Sequence, residues 1–490
     1  MSSFHTIVIG AGSGGLTVAI GLANLGRKVA LVEGKFVGGD CTNVGCVPSK
    51  TLIHLARQYH GGDTAAIMTE VQAKRNRLRE QETEHVAHMQ NLALIEGWAR
   101  FLGPKQLAVQ LSDGGSQHLT AENIVVATGS RPRLLTISGL PTERTLTNEN
   151  LFELPAAPRH LAIIGSGVIA MEMAAAFRKL GSCVTVVTRG ERMLTSAVPE
   201  ASEALHAAFT AKGIRVLYHA SPTGYDAASA SLHVRTASGA EVLHEVDYVL
   251  LAVGRERNLN GLGLENTGVA FDEKGIRINS FGQTSVPGLF AIGDVTPTSH
   301  YTHSANAQGR RVVQRIAFPL LPATGPEPFY PSAIFSDPEV ASVGLTPAEI
   351  GAKYHPALVK QLRVELKDLD RGYTDDVGPG FMQVTALRLT GQILGVTIVG
   401  PRASEMISFF TLAISQRISL YKLYRLVYPY PTYSGAIQKI ADAWMRETLP
   451  NLKNEVLAFV RYRFARPVAQ AKPAFNREGR EGREGKMVGG

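Results

Sequence analysis

The sequence predicts an α/β protein with two units built on parallel sheets and a smaller α+β unit at the C-terminal end. Three observations carry this. A strand, a glycine-rich turn, a helix and a second strand follow one another at the N-terminus as HTIVIG, GAGSGG, LTVAIGLANLG and KVALVE. The same grammar returns from residue 160 as HLAIIG, GSGVIA, MEMAAAFRKLG and CVTVVT. From about Phe329 the pattern changes to alternating strands such as MQVTALRL and ILGVTIVG, with helical stretches at ASEMISFFTLAISQ and AIQKIADAWMRETL.

At 490 residues the chain is too long for one core. The expected division is 1–149 and 271–328 for the first unit, 150–270 for the second, 329–466 for the third, and a charged, disordered tail over 467–490. Between the first two glycine turns, TAAIMTEVQAKRNRLREQETEHVAHMQNLAL reads as one long polar-faced helix, followed by a β-rich segment ending NIVVATGSRPR. LPNLKNEVLAFVRYRF, just before the tail, reads as a basic amphipathic helix. It is expected to pack on its own domain rather than on a membrane surface.

Composition excludes several classes. No apolar run is long enough to span a bilayer. MSSFHTIVIGAG has no cationic region before its apolar run, so it reads as a first strand and not a signal peptide. Three cysteines in so long a chain do not make a secreted disulfide scaffold, and a cytoplasmic location is expected. The net charge is +8, but residues 446–490 hold 10 Lys+Arg against 5 Asp+Glu. The body is thus nearly neutral, and no nucleic-acid partner is expected.

Gly10, Gly12 and Gly15 form G-x-G-x-x-G between strand and helix, and Glu33 closes the second strand 23 residues after Gly10. Such glycines let the backbone approach a pyrophosphate at a helix N-terminus, and the acid can bind a ribose diol. The first unit is therefore expected to bind an adenine dinucleotide. Gly165, Gly167 and Ala170 repeat the pattern, but Thr188 stands at the acid's offset, followed by Arg189 and Arg192. Without the carboxylate, and with an arginine to grip a 2′-phosphate, NADP(H) is expected over NAD(H).

Cys41 and Cys46 lie in GGDCTNVGCVPSK. They lack the second ligand pair that a zinc site needs, and a disulfide between them closes too small a loop to stabilise much. A redox pair beside the first nucleotide site is the stronger reading, with Lys50 one turn on to favour a thiolate. Cys183 is expected to be a small buried residue. His54 and His303 read as surface or capping histidines rather than ligands, and no metal site is expected.

With GAGSGG and GGDCTNVGCVPSK, the motifs ATGSRP (127–132), GSGVIAMEMA, AVGRERN (252–258), SVPGLFAIGDV (285–295) and FSDPEVASVGLT (335–346) follow in order. On these the chain, from about residue 4 to 450, resembles the pyridine nucleotide–disulfide oxidoreductases: dihydrolipoamide dehydrogenase, glutathione reductase and, most nearly, the mercuric reductase core. The resemblance implies two Rossmann-like domains, for FAD and for NAD(P), and a homodimer formed through a C-terminal α+β dimerisation domain. It implies that Cys46 faces the flavin and Cys41 exchanges with substrate, that Lys50 and Glu172 pair near the flavin, and that Asp294 holds its ribityl chain. Thr128, Gly129, Gly254 and Gly293 fall in the motifs that surround the cofactors. Electrons would run from NADPH through FAD to the Cys41–Cys46 disulfide and on to an acceptor.

The chain departs from the thiol-reducing members at one place. Where they carry an acid–base histidine backed by a glutamate, this sequence has Tyr430 and Gly435, in YPYPTYSG. Phenol is a poor base at neutral pH, which points away from glutathione or lipoamide. A soft metal ion, bound by thiolate exchange, needs no such proton donor. Val168 and Thr188-Arg189 also match the mercuric reductase pattern, whereas its C-terminal cysteine pair and N-terminal metal-binding module have no counterpart here. The expected acceptor is a soft metal ion or other thiophile. The alternatives are a dihydrolipoamide dehydrogenase-like thiol oxidoreductase and a redox-sensing or partner-binding flavoprotein. Of the tyrosines at 421, 424, 428, 430 and 433, most are expected to pack at the dimer interface.

Overall fold

The computed structural model describes residues 2–195, 197–297, 301–320 and 329–464. The tail expected over 467–490 lies outside the described residues.

The first unit opens with β1 (Ser2–Ile9), α1 (Ser13–Asn24) and β2 (Val29–Glu33), then a short helix α2 (Gly39–Asn43) and α3 (Cys46–Arg57). α4 (Thr64–Ala87) follows, and then β3 (Leu92–Gly103), β4 (Gln106–Leu111) and β5 (Ser116–Val126). β1 lies parallel between β2 and β5, and β2 is parallel to β3. β3 is long enough to do two jobs: Leu92–Glu96 pair with β2, and Gly97–Gly103 turn away to pair antiparallel with β4. The strand Leu289–Ala291 returns beside β5 and completes the parallel sheet. The helix expected through Leu94 thus ends at Ala87. Leu92, Ala93 and Leu94 pair with β2 instead, because an apolar strand here buries more than another helical turn would.

α1 is apolar on nearly every side because both of its faces are covered. Val18, Ala19 and Leu22 pack on the sheet, and Val312, Val313 and Ile316 of the helix Thr302–Ala317 close over it. Each of the larger side chains contributes about 2 kcal/mol by leaving water.

The second glycine turn lies between the strand His160–Ile164 and α5 (Val168–Lys179). Its sheet is wholly parallel, in the order Arg215–Leu217, Cys183–Val187, His160–Ile164, Tyr248–Leu251 and Thr145–Leu146. One apolar core joins this sheet to the first unit: Leu52, Ile53 and Ala56 of α3 and Met68 and Val71 of α4 share it with Met171, Ala174 and Phe177 of α5. The third unit is a five-stranded antiparallel sheet, with the helices Ala403–Ser415 and Gly435–Thr448 sharing its core.

Cys183 is exposed, contrary to expectation. It is the first residue of its strand, and burial begins only at Val184.

Candidate active site

Both glycine turns have the backbone that a pyrophosphate requires. Gly10 has φ +104°, and a Cβ there would sit 2.4 Å from the Ala127 carbonyl oxygen. A Cβ on Gly15 would sit 1.9 Å from the Gly10 carbonyl oxygen, so α1 can begin this close to β1 only with glycine. Gly12 caps α1 with no side-chain bond, and no acid occupies the first turn, which leaves its N–H groups open to an anion. Gly39 faces Gly12 across the turn: a Cβ on Gly39 would come within 2.7 Å of Gly12 Cα.

Glu33 accepts hydrogen bonds from Ala11 N (2.7 Å) and Lys35 N (2.8 Å), which fix its carboxylate beside the turn. It borders a cavity of about 430 Å³ shared with Lys35, Phe36, Arg79 and Glu96, of a size to take the adenosine end of a dinucleotide.

Beside the same turn, where β5 ends, Thr128 and Asn258 exchange hydrogen bonds of 2.8 and 2.9 Å, and Asn258 N donates to Gly129 O at 3.0 Å. This ties ATGSRP to AVGRERN. Gly129, Gly254 and Gly293 all have positive φ. Asp294 accepts from Ser130 Oγ at 2.5 Å, and Arg255 Nε lies 3.9 Å away.

Arg255 also pairs with Asp40, the residue before Cys41, and reaches Asn148 at 3.3 Å. Burial pushes the Asp40 carboxyl above the usual range, partly offset by Arg255. Neither Arg255 nor Asp40 stood out in the sequence. The available signal was the acid inside the cysteine motif, but its partner lies more than two hundred residues away.

The second turn is built alike. Gly165 has φ +123°, and a Cβ there would meet the Ala252 carbonyl oxygen at 2.2 Å. Gly167 caps α5 and has open space where a side chain would begin. Ala170 is fully buried against the sheet. Thr188 is buried and hydrogen-bonded to Ser166 Oγ at 2.9 Å. Arg189 is exposed, whereas Arg192 donates to Ala197 O and Thr195 O. Arg192 therefore closes its own loop, and Arg189 is the cation left at the end of the strand.

Between the two turns lies the dithiol. Cys46 is the first residue of α3, where the helix N-terminus favours a thiolate. Both thiols are free. The Cys41 thiol donates to Cys46, which also lies 3.5 Å from Thr302 Oγ1. The hydrogen bond from Cys41, joined by Thr302 and the charge of Lys50, outweighs burial and brings Cys46 down to about 6. Cys41 is pushed up by that same bond, by burial and by the Cys46 charge. One thiol of the pair is thus a thiolate near neutrality and the other stays protonated.

Lys50, one turn along α3, sits 2.8 Å from Glu172 Oε2 and 4.7 Å from the centroid of the Phe335 ring. The second oxygen of Glu172 accepts from Phe335 N at 3.0 Å. One carboxylate thus ties α3, α5 and the third unit together.

Tyr430 is not brought to this dithiol within the chain. Its ring is 80% exposed, and its phenol bonds Asp370 of the third unit, which raises it further above neutrality. Gly435 begins the helix Gly435–Thr448 with open space around its α-carbon. Tyr433 turns inward, donating to Asp375 at 2.8 Å, and rises to about 12. His303 bonds the Pro331 carbonyl and His54 is exposed on α3. Among the described residues no three His, Cys, Asp or Glu side chains gather as a metal site, and no helix is long and apolar enough to cross a membrane.

Two dinucleotide-type turns flanking an asymmetric dithiol define a redox protein that couples a nucleotide cofactor to a cysteine pair. The chain belongs to the pyridine nucleotide-disulphide oxidoreductases: the family matches residues 4–309, and its dimerisation domain matches residues 330–441, which supports a homodimer. FAD and a pyridine nucleotide are the cofactors of this family, and the open helix N-termini, Glu33 and Asp294 fit them.

The chain is 35% identical to dihydrolipoyl dehydrogenase 3 of Pseudomonas aeruginosa over 90% of its length and 98% of that protein. It is 32% identical to the mercuric reductase of Acidithiobacillus ferrooxidans, over 90% and 83%. LpdA from Mycobacterium tuberculosis superposes with a TM-score of 0.81 at 26% identity, covering 90% and 99%. The flavoprotein disulfide reductase RclA from Escherichia coli shares the fold, with the same TM-score at 24% identity, over 90% and 99%. Relatives named for dihydrolipoyl and for mercuric-ion chemistry thus match at similar identity.

Proposed function

We propose that the protein uses NADPH to keep the Cys41–Cys46 pair reduced and delivers the electrons to a thiophilic acceptor, most readily a soft metal ion such as Hg²⁺. Bound FAD supplies the two-electron relay between nicotinamide and sulfur. The glycine turns bind the two pyrophosphates, Glu33 and Asp294 orient the first cofactor, and Arg189 grips the 2′-phosphate of the second. Lys50, held by Glu172, keeps positive charge beside the Cys46 thiolate. Cys41, displaced toward the acceptor, exchanges with incoming ligand.

The observation that carries the choice of acceptor is the pair Tyr430 and Gly435. A dithiol substrate needs a base to take its proton and an acid to return it, worth about 10²–10⁴ in rate. Here the phenol is raised by Asp370, and no carboxylate stands at Gly435. A soft cation exchanges its ligands for thiolates and needs neither group. A reducing cytoplasm suits this use of an open dithiol.

Dihydrolipoamide oxidoreduction is the second reading, favoured by the name of the 35% identical relative. Cys41→Ser and Cys46→Ser variants test the shared part of both. Each should still oxidise NADPH with a quinone acceptor and lose Hg²⁺-dependent turnover. Turnover with Hg²⁺ that survives Cys41→Ser would show that the dithiol is not on the path.

A further inference from the structure

The helix Leu452–Tyr462 is amphipathic, but it faces the opposite way from the one expected. The residue it buries is Glu455, 4% exposed, which forms a two-pronged ion pair with Arg388 at 2.8 Å and 2.8 Å. Tyr462 stacks on His355 with centroids 4.3 Å apart. The apolar residues point outward: Leu452 is 47% exposed, Val456 42%, Leu457 58% and Val460 70%, with Phe464 just beyond at 86%. None of them enters an apolar core. A helix held by a salt bridge with its valines and leucines in water has that face available for something else.

Charge decides what fits. Lys453, Arg461 and Arg463 stand within or beside the apolar arc, and the helix's one acid is neutralised on the inner side by Arg388. In sequence, residues 465–490 add six Lys+Arg against three Glu. A second copy packing the same helix face on this one would bring two sets of Lys453, Arg461 and Arg463 together, with no exposed acid on either helix to offset them. A bilayer bearing anionic headgroups satisfies both features: the apolar residues enter the headgroup–acyl boundary, and the cations reach the phosphates.

We infer that the helix Leu452–Tyr462 docks the enzyme onto an anionic lipid surface. The site lies on the third unit, apart from the dithiol, so docking and turnover are separable.

Flotation of the full-length holoenzyme with vesicles tests this. Protein should float with phosphatidylcholine–phosphatidylglycerol vesicles and not with phosphatidylcholine alone, and added salt should release it. Val460→Glu should reduce binding by about tenfold or more. Lys453→Glu should reduce it by about fivefold or more. NADPH oxidation should be unchanged in both. Wild-type protein left unbound by anionic vesicles would overturn the inference, as would Val460→Glu binding as well as wild type. A smaller assembly on gel filtration for Val460→Glu would assign the face to a second copy instead.

Discussion

Lys50 Nζ lies 2.8 Å from Glu172 Oε2, and this pair joins the helix that begins at Cys46 to the helix that begins at the second glycine turn. Glu172 is 3% exposed and is anchored from the other side by Phe335 N. The cation beside the thiolate is thus positioned by a buried carboxylate on the helix that begins at the second glycine turn. The position of that helix is mechanically tied to charge at the dithiol.

Cys46 is held near 6, so in the reduced protein its alkylation by iodoacetamide should rise with pH and reach half its maximum near that value. Lys50→Met removes a stabilising charge and moves the curve to higher pH. Glu172→Gln removes an opposing charge and moves it lower. Lys50→Met also leaves Glu172 buried without its cation, which should cost about 3 kcal/mol in a denaturant titration. Coincident alkylation curves for wild type and Lys50→Met would refute the role given to Lys50.

The glycine turns separate fold from ligand. Gly15→Ala drives a Cβ into the Gly10 carbonyl and should yield protein that is unstable or lacks FAD, read by the absorbance of the purified protein. Gly167→Ala meets no atom, so its thermal midpoint should stay at the wild-type value. Its affinity for NADPH should still fall, because the methyl group occupies the approach to the pyrophosphate.

The NADPH reading rests on Arg189, the exposed cation at the end of its strand. Arg189→Ala should raise KM for NADPH by about 10- to 100-fold, the loss expected for a charge-assisted bond to phosphate, and leave KM for NADH nearly unchanged. Arg192→Ala acts on the loop through Ala197 O and Thr195 O, so its effect should be similar for both nucleotides. An unchanged NADPH/NADH ratio in Arg189→Ala would remove the case for NADPH.

The tyrosine loop can be converted. Tyr430→Phe should leave metal-ion turnover within about twofold, since no proton transfer is asked of the phenol. Tyr430→His combined with Gly435→Glu, for which there is room, should raise lipoamide turnover. Tyr430→His alone should do less, for want of the carboxylate that orients the ring.

Periodicity and glycine spacing made the two nucleotide-type sheets legible because each strand–turn–helix unit is specified within about thirty residues. Glu33, Asp294 and the dithiol stood out for the same reason: each sits inside a local motif. What escaped were relations set by tertiary contact. Leu92–Leu94 looked helical until β2 was seen to pair with them. Cys183 looked buried, yet its strand begins one residue before the core. That Arg192, close behind Arg189 in sequence, is taken up by the loop carbonyls was not legible either. The Asp40–Arg255 pair and the outward face of Leu452–Tyr462 depend on partners far away in sequence, Arg388 among them, which no local pattern encodes.

NADPH-driven turnover, measured anaerobically with one enzyme preparation and a panel of Hg²⁺, Cu²⁺, lipoamide and glutathione disulfide, decides whether the dithiol serves a soft metal ion or a dithiol substrate. The value of kcat/KM for Hg²⁺ should exceed that for lipoamide and glutathione disulfide by about 10² or more. Lipoamide turning over as fast as Hg²⁺ or faster would contradict it.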